Sequence, residues 1–181
     1  MFKKIIASIF MVGSLAFAPA AFAEPVILVF NLDRAIAMSK AGKSMAEQLE
    51  EQVSKVRADD GEVLKGLQSE AEKLREQQKL LAPEALQKKI EDLNKKGVEH
   101  RRALSEKSQS IQAGGQRAAA EIVKIAEEEL SKISKERKAD IVIRREALFF
   151  ASPAINVTAE LVSRLDKRLS KVKVTPVALK K

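Results

Sequence analysis

Cysteine, tryptophan and tyrosine are absent from the 181 residues, and histidine occurs once. Without cysteine there is neither a disulfide nor a thiolate metal site, so stability must come from packing or assembly. Proline is scarce and uneven: none lies between Pro25 and Pro83, and none between Pro83 and Pro153. Two long proline-free windows therefore meet at a single proline. Beyond residue 23 the only aromatics are Phe30, Phe149 and Phe150. No core centred on large rings can form within residues 31–148, which are rich instead in Ala, Glu, Lys, Gln and Leu, the strong helix formers. There is no glycine-rich phosphate loop, so no ATP cycle is expected. His100 stands alone at mid-window with no cysteine or serine–base arrangement, and it reads as a polar interruption of a helix seam. No catalytic residue, metal ligand or cofactor site is expected, and hence no enzyme.

What is present begins with an export signal. Lys3 and Lys4 precede an apolar run over residues 5–17, and Ala21-Phe22-Ala23 supplies small residues before Glu24. That order is the one of a secretory signal peptide at residues 1–23, cleaved after Ala23. The apolar segment is short for a membrane span, which needs about 20 apolar residues.

Heptads fill both windows. In the first, Val53, Leu67, Leu74 and Leu81 take one seam position and Leu49, Val56 and Val63 the other, with Asp60, Glu70 and Gln77 as breaks. In the second, Leu86, Ile90, Leu93, Leu104, Ile111, Ala118 and Ile125 repeat the pattern, broken by Gly97, His100, Lys107 and Gly114. Sustained heptads with a narrow apolar stripe predict supercoiled helices, each with one or two partners. Leu80-Leu81-Ala82-Pro83-Glu84 marks a reversal, with Pro83 and Glu84 suited to a helix N-terminus. One kinked helix is the alternative, but it would leave both stripes unburied. The hairpin arm is expected over residues 43–138, with its turn near 81–84. Glycines at 61, 66, 97, 114 and 115 are either tolerated surface positions or places where the arm bends.

The two ends differ from the arm. Val26-Ile27-Leu28-Val29-Phe30 is a continuous apolar run, as expected of a strand buried on both faces. Asp33 is expected to cap a short helix reaching Ser39, and Ala41-Gly42 to interrupt before the arm. Asp140-Ile141-Val142-Ile143 predicts a second strand. Ala147-Leu148-Phe149-Phe150-Ala151 predicts a third, ended by Ser152-Pro153. Thr158 is placed to cap a closing helix. The fold class is thus α+β: a small, discontinuous β body from residues 24–42 and 139–170, with the helical hairpin inserted. Residues 171–181 are expected to be a basic, flexible tail. Three strands are too few for an independent sheet. Val26, Leu28, Phe30, Ile141, Ile143, Leu148, Phe149 and Phe150 are therefore expected to form a core shared between copies.

The formal charge is +8, yet residues 43–138 carry 20 Lys/Arg against 19 Asp/Glu, whereas residues 139–181 carry 9 against 4. The excess lies on the closing segment. Near the turn Lys88, Lys89, Lys95, Lys96, Arg101 and Arg102 gather, either as a solvated face or as a contact for acidic chains or an anionic membrane surface. Charge alone also permits a basic nucleic-acid or anionic-surface binding protein, with binding that falls steeply with salt. The export signal and the near-neutral arms oppose that alternative, and no nucleic acid is expected. A passive envelope spacer is a third class.

Along nearly the whole segment after residue 23, the chain resembles the Skp/OmpH family of periplasmic chaperones. The residues that carry the resemblance are the run from Val26 through Asp33-Arg34, then Ala41-Gly42-Lys43, and above all the ending. There Asp140-Ile141-Val142-Ile143, Phe149-Phe150-Ala151-Ser152-Pro153 and Asn156-Val157-Thr158-Ala159-Glu160 follow in the family's order. The resemblance implies a periplasmic homotrimer in which a small β-barrel body holds three helical hairpins around a cavity. In it, unfolded outer-membrane proteins are kept from aggregating without ATP. Some members carry a paired-arginine lipopolysaccharide feature where this chain has Gln112-Ala113-Gly114-Gly115, so that property is not carried over.

Overall fold

A computed structural model describes residues 24–178, and the expected signal peptide with its Ala23 cleavage site lies outside the described residues. Strand β1 (Ile27–Phe30) leads into helix α1 (Leu32–Met38), then α2 (Lys40–Gln77), α3 (Pro83–Glu136), β2 (Ile141–Arg144) and α4 (Thr158–Arg168). β1 and β2 pair in parallel, with Ile27 opposite Ile141 and Phe30 opposite Arg144. On its other side β1 meets the segment before α4, where the Val157 N–H donates to the Val29 carbonyl at 2.9 Å. β1 is thus flanked twice, which is why Leu28, Val29 and Phe30 are all buried. A parallel pair needs a long crossover, and here that crossover is the helical arm.

Local chemistry fixes the joints. Asn31, not Asp33, caps α1: its side chain accepts from the Arg34 N–H at 2.5 Å. Asp33 falls within the first turn, where a carboxylate complements the helix dipole. A break of one residue separates α1 from α2. Ser39 caps α2 by accepting from the Gly42 N–H at 3.0 Å, so Ala41-Gly42 lies in the first turn rather than interrupting the chain. A Cβ at Gly42 would overlap the Ile36 carbonyl, which is why glycine stands there. Thr158 is likewise not the cap of α4 but its first residue. Its hydroxyl accepts from the Asn31 N–H at 2.9 Å, tying α4 to the start of α1.

The arm is a hairpin. α2 has 38 residues and α3 has 54, so at 1.5 Å per residue they extend about 57 and about 80 Å. The chain reverses over residues 78–82, held by Leu80 and Leu81 N–H groups donating to the Gln77 carbonyl. Pro83 opens α3, where its missing N–H costs nothing. At the other end Lys138 takes φ 50°. The Ala139 N–H donates to the Ser134 carbonyl and the Lys138 N–H to that of Lys135. This paired closure turns α3 into β2.

The core sits where the base of α3 meets α1, α4 and β1. Ile122, Ala126, Ile133, Leu161 and Leu165 are fully buried there, joined by Leu28, Phe30 and Ala35. Among the described residues no helix is long and apolar enough to cross a membrane.

Two further expectations are corrected. Residues 147–151 form no third strand: a short 3-10 turn, Arg145–Ala147, is followed by irregular chain. A strand needs a neighbour to receive its N–H and C=O groups, and this segment has none among the described residues. The Arg145 guanidinium instead donates to the Leu148 carbonyl at 2.7 Å. The tail is also not loose. Val172 and Val174 are buried in the core cluster, and the Val177 N–H donates to the Ser110 carbonyl at 3.0 Å.

Candidate functional site

Three surfaces stand out. The first is on the body. Of the residues expected to form a shared core, Leu28 and Phe30 are buried within the single chain, and Ile143 and Leu148 are half-buried. Val26 and Ile141 are exposed, Phe150 is three-quarters exposed, and Phe149 is fully exposed. Two adjacent phenylalanines in water beside a two-stranded sheet make an apolar surface of the kind that marks an interaction site.

The second surface is the distal arm. Val63, Leu64, Ile90 and Val98 are exposed, and Leu67, Leu74, Leu86 and Leu93 are only half-buried. Polar bridges replace apolar packing across the seam. Lys96 meets Glu70 at 2.6 Å, Lys107 meets Asp59 at 2.7 Å, and His100 Nε2 lies 2.8 Å from Asp60 Oδ1. Two residues that break the heptads, His100 and Asp60, thus pair with each other. Beside them a groove of about 480 Å³ is lined by Glu70, Lys73, Leu74, Gln77, Lys89, Asp92, Lys95, Lys96 and Glu99.

The basic cluster is dispersed by these pairings. Lys95 reaches Glu99 at 4.0 Å, Arg102 reaches Glu106 at 2.9 Å, and Lys89 donates to the Gln77 amide oxygen at 3.3 Å. Lys88 and Arg101 take no carboxylate among the described residues. All six side chains are exposed, but they form no single patch.

The third surface, missed at the level of sequence, is the seat of the tail between α2 and α3. Gln48 grips the tail backbone twice: Nε2 donates to the Val172 carbonyl at 2.7 Å and Oε1 accepts from the Val174 N–H at 3.0 Å. Gln52 Nε2 donates to the Val174 carbonyl at 3.0 Å. A Cβ at Gly114 would overlap the Thr175 carbonyl, so that glycine is the floor of the seat. Gly115 packs against the Leu49 methyls, while Gly61, Gly66 and Gly97 face open space. The signal for this seat was the alternation in Lys171-Val172-Lys173-Val174, which puts the valines on one face of an extended chain.

Ion pairs fasten α4 to the base of α3. Arg164 joins Glu136 at 2.5 Å and Glu160 at 2.7 Å, and Arg168 joins Glu128 at 2.8 Å and the buried Glu129 at 2.9 Å. The Lys132 ammonium, then Arg168, holds the Glu129 carboxyl below its usual range against burial. Arg164 does the same for Glu136. Burial pushes Glu160 up, but Arg164 and Arg137 together bring it below.

Comparison with known proteins follows the same architecture. A family profile described as outer membrane protein, OmpH-like, matches residues 26–165. The chain belongs to the OmpH-like family. A crystal structure of an OmpH-like candidate outer membrane chaperone from Caulobacter crescentus CB15 superposes with a TM-score of 0.81 at 24% identity, covering 87% of this chain and 93% of that one. No curated protein matches the chain significantly. The family profile spans the body strands, the arm and most of α4, and it ends before the docked tail.

Proposed function

We propose that this OmpH-like chain is an ATP-independent holdase of the bacterial periplasm. Three copies assemble through the body, and unfolded outer-membrane proteins are held between the helical arms. The observation that carries this reading is the arm itself: a hairpin of α2 and α3 with Val63, Leu64, Ile90 and Val98 exposed along it. Such an arm offers scattered aliphatic contacts to an unfolded chain without a pocket of fixed shape. Binding lowers the concentration of free unfolded chains, which slows aggregation by mass action. The trimer rests on Val26, Ile141, Phe149 and Phe150, apolar residues that one chain leaves in water. Lys88 and Arg101 are the best placed of the basic residues to meet acidic chains or an anionic membrane surface. The alternative, a basic nucleic-acid binder, is weakened by the carboxylates that face Lys95, Lys96 and Arg102.

The test is aggregation of a urea-denatured outer-membrane barrel protein on dilution, followed by turbidity. The mature chain is expected to suppress it without ATP. Replacing Val63, Leu64, Ile90 and Val98 by serine is expected to weaken suppression by an order of magnitude. Undiminished aggregation in the presence of the unaltered chain would refute the reading.

A further inference from the structure

We propose that the seat between α2 and α3 is a binding groove for extended polypeptide backbone, and that the chain's own tail is its displaceable occupant. The recognition is indexed by geometry. Gln48 and Gln52 are one helical turn apart, about 6 Å along α2. Two residues of extended chain advance about 6.6 Å. Successive glutamines on α2 can therefore grip every second residue of a strand, and Gln48 does so with both amide atoms, at Val172 and Val174. These bonds go to backbone, so they select for extended chain and not for sequence. Side-chain preference enters at the two inward positions, held here by buried valines.

The tail fits this ladder imperfectly. Gln52 repeats the grip one step on, with Nε2 on the Val174 carbonyl. Its Oε1 should then accept from the N–H of residue 176, as that of Gln48 accepts from residue 174. Residue 176 is proline and has no N–H. Gln52 Oε1 is accordingly buried with no hydrogen-bond partner, alone in this among the described side chains. An unmet buried acceptor is costly. An extended segment with any other residue at that position makes one more bond than the tail does. The resident occupant is thus weaker than an ordinary unfolded segment with β-branched residues at alternate positions, and it covers the groove until one arrives. The tail lies past the last residue matched by the family profile.

The partner class, unfolded chain, rests on the holdase reading, but the test does not. The probe is a fluorescent peptide copying residues 169–178 with alanine in place of Pro176, and the readout is anisotropy with the full-length mature chain. Val172→Asp with Val174→Asp removes the tail's anchors and leaves the groove intact, so the probe is expected to bind about tenfold or more tighter than to the unaltered chain. Pro176→Ala supplies the missing N–H, strengthens the tail, and is expected to weaken probe binding about fivefold. Because Pro176 is exposed, this second variant keeps its fold even if the aspartates disturb the core. Adding Gly114→Val to the aspartate variant fills the floor of the groove and should abolish binding. Equal affinity for the unaltered and Pro176→Ala chains, or binding that survives Gly114→Val, overturns the proposal. Anisotropy reports the groove whether or not the chain suppresses aggregation, so the two readings fail separately.

Discussion

Lys138 closes α3 in the left-handed region at φ 50°, where a side chain is disfavoured and glycine is not. Lys138→Gly should therefore stabilise the chain by about 1 kcal/mol, seen as a melting temperature raised by a few degrees. A lower melting temperature would show that the lysine makes a contact worth more than the strain. The carboxylates at the base of α3 set a second expectation. Glu129, Glu136 and Glu160 all titrate below their usual range in the folded chain. The unfolded chain then binds more protons near the ordinary carboxylate pKa, so their stabilisation is present above about pH 4.5 and is lost as pH falls through the lower folded values. Thermal melts followed by circular dichroism should show a midpoint that drops progressively below about pH 4.5. An unchanged midpoint from pH 5 to about pH 3 would mean that these pairs contribute nothing. At this scale the sequence was only partly legible. Serine, threonine, asparagine and aspartate at helix starts can each cap, and which one does depends on contacts from far along the chain. Thr158 was spent on Asn31, across 127 positions.

The arm is not uniform along its length. Near the body α3 buries Ile111, Ala118, Ile122, Ala126 and Ile133, whereas in the distal half the seam is half-open and bridged by polar pairs. Helices held mainly by solvent-exposed contacts open at low cost. Amide hydrogen exchange should therefore be fastest in residues 60–100 and slowest in residues 118–133. The reverse order, or uniform protection along the hairpin, would contradict a soft-tipped arm. The heptads announced the hairpin and its reversal because each arm faces one partner there. They failed at the base of α3, where Ile122, Ala126 and Ile133 lie off the expected row that ran through Ile125. That stretch packs at once against α1, α4 and the tail, and a two-helix seam cannot describe a helix with several partners. The third strand failed for a related reason. Residues 147–151 have strand composition, but a single chain gives their backbone no ladder to join. Residues 171–178 were misread because a short alternation of valine and lysine carries little signal until a groove for it is in view.

The whole molecule places its unsatisfied surface at one end and its reach at the other. Phe149, Phe150, Ile141 and Val26 crowd the body, and the hairpin carries its exposed aliphatic residues away from it. On the proposed holdase reading the first surface joins copies and the second holds clients, so assembly and client binding are separable. Replacing Phe149 and Phe150 by serine should lower the oligomeric mass while leaving the helical content of the arm intact, because neither residue touches the buried cluster at the base of α3. The most direct measurement is the molar mass of the mature chain by light scattering, with and without a urea-denatured outer-membrane barrel protein diluted into it. A trimeric holdase is expected to show three times the chain mass alone, and a soluble complex of three chains with one client when the barrel protein is present. A monomer at micromolar concentration whose mass does not change while the barrel protein precipitates would contradict it.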